Sequence, residues 1–371
     1  MASTEQLGSV LVVGGCGFLG HHIVRKLIQA GDASNVTVLD VKTDLYRIEG
    51  AHYISGSITS PEDVKRALDA AKPKLIFHTV SPQALGSNKV FTDVNVNGTR
   101  NLLDCAQSSG FVRALVYTSS SSVVHDNHSD IAGATEDLPL LFTPEQKEHY
   151  SHTKALAEKM VIDANKIAGI RTCAIRPAGM FGEGDRTTTG NIIASAKEGK
   201  HKIQIGDNSK LFDWTYVGNN ADAQILAARA LLRCQVQEPR EDLKVDGEAF
   251  VITNDQPWPF WTFLRAMGAA AGYPTKKEDI RVIPAGVMWV GVVITEFLYF
   301  VFTFGRKQPR FTRAKIKYMT IDRYFDITKA KKRLGYSPQV SMEEGIQRTV
   351  EWYANMTNQE RNHGDAFRKL T

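Results

Sequence analysis

Tyr150 and Lys154 lie four residues apart in Glu148-His-Tyr-Ser-His-Thr-Lys-Ala-Leu-Ala-Glu158. The stretch reads as the start of a helix, and a spacing of four puts both side chains on one face. An ammonium beside a phenol favours the phenolate and lowers the tyrosine pKa. Such a pair can move a proton on or off an alcohol near neutral pH. In isolation the same spacing also describes a surface tyrosine and a solvated lysine, so the rest of the chain has to decide. About thirty residues earlier stands a run of hydroxyls, Ser119-Ser-Ser-Ser122. One of them can hydrogen-bond the oxygen on which Tyr150 acts, and four consecutive serines leave open which.

These groups need a scaffold that brings them to one edge. Val10-Leu-Val-Val13 is apolar throughout, as expected of a buried parallel strand. It runs into Gly14-Gly15-Cys16-Gly17-Phe18-Leu19-Gly20 and then an amphipathic helix. Strand, glycine turn and helix in that order let backbone approach a pyrophosphate, which would sit on the helix N-terminus. A second strand, Val36 to Asp40, ends in an acid twenty residues after Gly20. A carboxylate there can bind adenosine ribose hydroxyls, and it favours NAD over NADP because it would repel a 2′-phosphate. Lys42 leaves room for use of both. Further strands are expected at 52–55, 74–79, 114–118 and 172–176, with helices at 61–71, 94–108 and 150–168. This alternation predicts a doubly wound parallel sheet. Gly14, Asp40, Thr79 and the serines all fall at carboxyl ends of strands, where such sheets bind ligands.

The chain has 371 residues, 45 Lys plus Arg against 40 Asp plus Glu, and a net charge of +5. The dispersed basic residues do not suggest nucleic-acid binding. Cys16, Cys105, Cys173 and Cys234 lie far apart with no CxxC, so they are read as free thiols in a reducing compartment and no metal site is expected. The N-terminus lacks the basic and apolar regions of a secretory signal.

Beyond residue 185 the pattern loosens into a substrate lobe with Phe212, Trp214, Trp258, Phe260 and Trp261 as candidate pocket walls. The segment 284–304 is almost wholly apolar, with Glu296 as its only charge. It is flanked by Arg281 and by Arg306, Lys307, Arg310 and Arg313. Its length could cross a bilayer, but the mid-segment carboxylate argues for an interfacial helix with the basic cluster at anionic headgroups. The competing soluble reading is a buried lobe helix lining an apolar pocket.

With these pieces placed, the chain resembles the extended short-chain dehydrogenase/reductases, specifically the 3β-hydroxysteroid dehydrogenase branch. The resemblance rests on Gly14–Gly20, His78-Thr-Val-Ser-Pro82, Asn95-Val-Asn-Gly-Thr99, Tyr117-Thr-Ser-Ser120, Tyr150-x-x-x-Lys154, 176–185, 205–216 and Leu334-Gly-Tyr-Ser-Pro338. It covers nearly the whole chain, and the 176–185 and 205–216 stretches are its most specific parts. It implies an α/β, Rossmann-like doubly wound sheet over 1–185, with 211–235 and 246–254 contributing, and a smaller substrate lobe over 186–371 carrying the membrane-associating segment 284–304.

For the site, the resemblance implies Tyr150, Lys154 and Ser120 as catalytic residues, with Ser120 and Tyr150 on the substrate oxygen. Ser120 is three before Val123, the offset usual in related proteins, and Ser121 is the alternative. NAD or NADP would contact Gly14 to Gly20, Asp40, Ser57, Ile58, Thr79, Val80, Ser81, Asn95, Tyr150, Lys154, Pro177, Ala178, Gly179 and Met180. The implied activity is oxidation of the 3β-hydroxyl of a 4-carboxy sterol or triterpenoid with loss of CO2. The implied place is the cytosolic face of the endoplasmic reticulum membrane, beside a C4-methyl oxidase and a 3-ketoreductase. Ser57 stands where the family usually has an acid, and Val80 where alanine is common. These departures point to a paralogue acting on another triterpenoid, such as a fungal fusidane-type compound. Oxidation without decarboxylation, a sugar epimerase and an inactive membrane scaffold are the competing readings.

Overall fold

A computed structural model describes residues 6–44, 46–82, 87–185, 188–304, 309 and 312–356. Seven strands form the main sheet: β1 (Ser9–Val13), β2 (Asn35–Asp40), β3 (His52–Ser55), β4 (Leu75–His78), β5 (Ala114–Thr118), β6 (Arg171–Pro177) and β7 (Glu248–Ile252). Their order is β3-β2-β1-β4-β5-β6-β7, and each neighbouring pair is parallel.

Because successive side chains face opposite sides of a strand, β1 supplies both cores. Val10 and Val12 join the face covered by helices Phe18–Ala30 and Val217–Val236. Leu11 and Val13 join the face covered by Pro61–Ala71, Thr99–Ser109 and His149–Asp163. Burial on both faces explains the unbroken apolar runs. The expected helix 94–108 begins instead as a π-turn, Thr92–Gly98, before continuing as α-helix.

A second sheet orders Trp258–Pro259, Leu211–Phe212, Arg323–Phe325 and Ile131–Ala134. It therefore draws on residues on both sides of position 185. Strand Gly179–Phe181 pairs with Trp214–Tyr216 and joins this lobe to the end of β6.

Helix Ala285–Thr303 is not the buried lobe helix of the competing reading. Of its 19 residues only Val292 is buried, and Phe297, Phe300 and Phe302 are more than 60% exposed. Its one charge is neutralised: Glu296 accepts from the Arg313 backbone N–H at 2.8 Å and from its guanidinium at 2.6 Å. Of the flanking basic cluster, Arg306, Lys307 and Arg310 lie outside the described residues.

Among the described glycines the closest approach is at Gly20, where a Cβ would stand 2.2 Å from the Gly14 carbonyl oxygen. Gly20→Ala must push the helix off the glycine turn. The expected cost is about 1–3 kcal/mol, read as a lower thermal midpoint. An unchanged midpoint would mean that the turn yields freely.

Candidate active site

Lys154, in the second turn of helix His149–Asp163, is 1% exposed. Its Nζ donates to the Thr118 carbonyl at 2.5 Å and lies 4.5 Å above the Tyr117 ring. Thr118 ends β5, and a carbonyl at a strand's end is free to take a side-chain donor. Burial brings the Lys154 pKa down to about 7, against the opposing pull of Glu158 one turn on. Glu158 is itself held by Arg176 of β6, whose Nε is 3.1 Å from both carboxylate oxygens and whose Nη2 is 2.6 Å from one. This buried pair fastens the helix to the sheet. His78 lies on the same face, its ring 5.1 Å from that of Tyr117. Burial and Lys154 lower its pKa to about 3, so it is neutral.

Tyr150 is half-buried, with its ring edge-on to Phe91. Burial raises its pKa, and the hydroxyls of Ser120 and Ser81 oppose the rise. The raised direction differs from the lowering expected from the Tyr150–Lys154 spacing. The ammonium is committed to the Thr118 carbonyl and the Tyr117 ring, so the protein alone keeps the phenol protonated.

The four serines separate by role. Ser119 donates its backbone N–H to Ile175 and buries its hydroxyl. Ser120 caps the turn Ser121–Val124, its Oγ accepting from the Ser122 N–H at 3.2 Å, and its hydroxyl acts on Tyr150. Ser121 is buried, and the Ser122 hydroxyl accepts from Ser151 at 2.9 Å.

Along the same edge the glycine turn forms a cradle. Gly14 has φ +88, and a Cβ there would meet Thr79 Oγ1 and the Val80 backbone nitrogen at about 3 Å. Gly15 packs against Val38, and Gly17 caps helix Phe18–Ala30 without a side-chain hydrogen bond or an acid in the first turn. That N-terminus suits an anion. Asp40, ending β2, accepts from the Cys16 N–H at 3.0 Å and so braces the turn. Thr79 Oγ1 donates to the Val13 and Gly14 carbonyls. The Asn95 amide donates to Thr153 at 3.1 Å, while its buried Oδ1 has no partner. Pro177 ends β6, the Ala178 N–H bonds Ile252, and Gly179 and Met180 continue as the lobe-joining strand. Phe18 packs against Gly184. These residues fit a dinucleotide laid across the carboxyl ends of the strands.

Two of the sequence-selected residues bury their side chains, and a third has its backbone N–H engaged. Leu19 and Ile58 are core side chains, Ile58 lying against Gly98, and the Ser57 N–H is taken by Asp63 at 2.9 Å. Any contact from Leu19 or Ile58 to a cofactor would be through backbone. Sequence reasoning missed Tyr117, the Glu158–Arg176 pair and Gln224, whose amide donates to Thr118 Oγ1 at 3.0 Å. Polar residues inside otherwise apolar strands and helices were the available signal. No group of three or more His, Cys, Asp or Glu among the described residues is arranged to hold a metal.

The 3-beta hydroxysteroid dehydrogenase/isomerase family model matches residues 11–282. The chain belongs to that family. Among family relatives, the decarboxylating sterol-4-alpha-carboxylate 3-dehydrogenases of Candida albicans and Saccharomyces cerevisiae are 40% and 37% identical, over 94% of this chain and 98% of theirs. The mouse protein of that name is 35% identical over 93% of this chain and 91% of its own. Among solved structures, a Thermus thermophilus UDP-glucose 4-epimerase in complex with NAD aligns with a TM-score of 0.67, 20% identity and coverage of 94% and 99%. That likeness is one of fold.

A lysine whose folded pKa is depressed destabilises the fold most where it must stay charged. For Lys154 the penalty is full below pH 7 and relieved as pH rises toward its unfolded value of 10.5. Lys154→Met removes it. The variant should therefore gain stability over wild type at pH 7, and that gain should shrink by about 2 kcal/mol at pH 9. Denaturant titration at the two pH values measures the difference, and a pH-independent gap would place the ammonium in water.

Proposed function

We propose that this protein oxidises the 3β-hydroxyl of a 4-carboxy sterol to the 3-ketone, with loss of the carboxylate as CO2. The observation that carries the reading is the convergence of Tyr150, Ser120 and Lys154 beside a dinucleotide cradle, in a chain that aligns almost end to end with decarboxylating sterol-4-alpha-carboxylate 3-dehydrogenases.

Tyr150 takes the proton of the alcohol while Ser120 holds the same oxygen. NAD(P)+ held by the glycine turn would supply the hydride acceptor for C3, and its charge would favour the phenolate of a phenol that the protein alone keeps protonated. Lys154 holds the ribose side of the site and, with a pKa near 7, exchanges protons readily. The product is a β-keto acid. Its C4–carboxyl bond breaks with the electron pair passing into the C3 enolate, which a proton then quenches at C4. No further acid or base is needed for that step. Asp40 supports NAD over NADP, since a carboxylate at the end of β2 would repel a 2′-phosphate.

Mass-resolved turnover tests the reading. Reduced cofactor with a product lighter by CO2, from a 3β-hydroxy-4-carboxy sterol only, is the expected result. Equal oxidation of the acid and its decarboxylated counterpart would leave a general 3β-hydroxysteroid dehydrogenase. Running NAD+ and NADP+ in parallel reads the preference. Tyr150→Phe should keep cofactor affinity and lose about 10²- to 10⁴-fold in kcat. Near-normal turnover would remove Tyr150 from the mechanism.

The exposed apolar helix supports membrane-surface binding. Its single charge is paired and its aromatic residues lie bare. We place the protein on the cytosolic face of the endoplasmic reticulum membrane, beside the C4-methyl oxidase that makes the acid and a 3-ketoreductase that consumes the ketone. The purified protein should float with phosphatidylserine-containing vesicles. Replacing Phe297 and Phe300 by glutamate, both on bare surface, should reduce flotation about tenfold without lowering the thermal midpoint. Undiminished flotation would move the membrane contact elsewhere.

A further inference from the structure

Arg323 is a buried cation that the proton-transfer machinery does not use. It lies in strand Arg323–Phe325, between Leu211–Phe212 and Ile131–Ala134, and is 7% exposed. Its guanidinium carbon is 5.3 Å from the Tyr318 ring centre and 5.8 Å from that of Phe212. Among the described residues no carboxylate, carbonyl or hydroxyl accepts a hydrogen bond from its side chain. Two aromatic faces offset only part of the cost of burying an unpaired charge.

The neighbouring groups do not supply the missing anion. Phe212 and Arg323 are register partners and share a face of the sheet, so Asp213, one residue on, points to the other face. Asp213 accepts from the Phe325 N–H at 2.8 Å, and burial holds its pKa up at about 7 with no arginine lowering it. His125 feels the Arg323 charge but is itself pushed toward the neutral form. Its ring nitrogens are engaged by Asn127 and Ser129.

Arg323 nevertheless lies near the turn that carries Ser120, for its charge acts on His125. His125 closes the turn that Ser120 opens, and Gln146 ties the carbonyls of Ser122 and His125 together. On the other side, Phe212 comes within 3.4 Å of a Cβ built on Gly179, in the strand that continues from β6. The Arg323 side chain is thus linked through His125 to the Ser120 turn and through Phe212 to the Gly179 strand.

We propose that Arg323 receives the carboxylate that the substrate carries on the carbon next to the oxidised carbinol. This rests on the reading of the substrate as a 4-carboxy sterol. The planar fork of arginine matches a carboxylate through two parallel hydrogen bonds. The ion pair would exist with the acid and with the β-keto acid. It would vanish when the C4–carboxyl bond breaks, the electron pair enters the enolate and CO2 departs. One residue would then select the acid over neutral sterols and loosen the site around the decarboxylated ketone.

The test compares Arg323→Gln and Arg323→Lys with wild type, using a 3β-hydroxy-4-carboxy sterol and its 4-decarboxy counterpart, by steady-state NAD+ reduction and by equilibrium binding. Arg323→Gln should lose about 30- to 1000-fold in kcat/KM toward the acid, mostly in KM, and stay within about threefold of wild type in affinity for the neutral sterol. Arg323→Lys should recover part of the loss. Equal losses on both ligands would assign Arg323 to the fold, and an unchanged acid would place the anchor elsewhere; either result overturns the proposal. If wild type binds the acid without oxidising it, the functional reading fails while the binding ratio still decides the role of Arg323. If Arg323→Gln does not fold, the acid-to-neutral affinity ratio of Arg323→Lys carries the decision.

Discussion

A lysine ammonium held out of water at the end of β5 is the constraint to which the rest of the site answers. Lys154 is held in place by one strand-end carbonyl and one tyrosine face. Keeping it there requires that the pairing of β5 with β4 end at Tyr117, one residue before Thr118, and that His78 stay neutral behind it. It also requires that the helix not drift. The Glu158–Arg176 pair meets that last demand from one turn further along, and Glu158 is the group that resists the loss of the lysine's proton. Removing one partner of such a pair leaves a buried charge and costs about 3–5 kcal/mol, so the pair and the ammonium form one electrostatic unit. The opposite shifts of Tyr150 and Lys154 share a cause: burial disfavours the charged form of each.

The second constraint is steric, and it acts where the chain passes from β1 to its helix. Gly20 is required because the Gly14 carbonyl points at it, and Gly14 because Thr79 and Val80 crowd it from β4. Asp40 reaches back from β2 to the Cys16 N–H. Three successive strands of the sheet therefore converge on one turn. The turn's shape is set by contacts far apart in sequence, and its glycines mark where backbone meets backbone.

Most of the main sheet was legible because its signals are local. Apolar runs and glycines placed the first six strands to within a residue or two, while helix 150–168 ends five residues early, at Asp163. The departures have physical reasons. The π-turn at Thr92–Gly98 brings Asn95 toward Thr153, a contact between helices that no helical period announces. Sequence left Ser120 and Ser121 as alternatives, because a choice between adjacent hydroxyls depends on which way the Ser121–Val124 turn coils. The shift in Tyr150 differs from the expectation because spacing on a helix says that two side chains share a face, not which carbonyl the longer one will find. Arg323 was invisible for a related reason. Its strand joins Ile131–Ala134 on one side and Leu211–Phe212 on the other, so its surroundings come from segments about 190 and 110 residues away.

Those long-range pairings also tie the exposed helix to the chemistry. Val292, its one buried residue, packs with Ile205, Trp261 and Ile316, and Phe260 and Met319 lie against them. Phe260 contacts Phe212 and Tyr318, and Phe212 reaches both Gly179 and Arg323. A chain of apolar contacts therefore runs from the base of the helix to Phe212, beside Gly179 and Arg323. The helix is seated in the lobe by that path and clamped by Glu296 to the helix Arg313–Met319. A surface that binds its exposed aromatics would hold the lobe at a fixed height above the bilayer. For a substrate that is hydrocarbon at one end and anionic at the other, the path offers aromatic rings along its length and a buried guanidinium at its end.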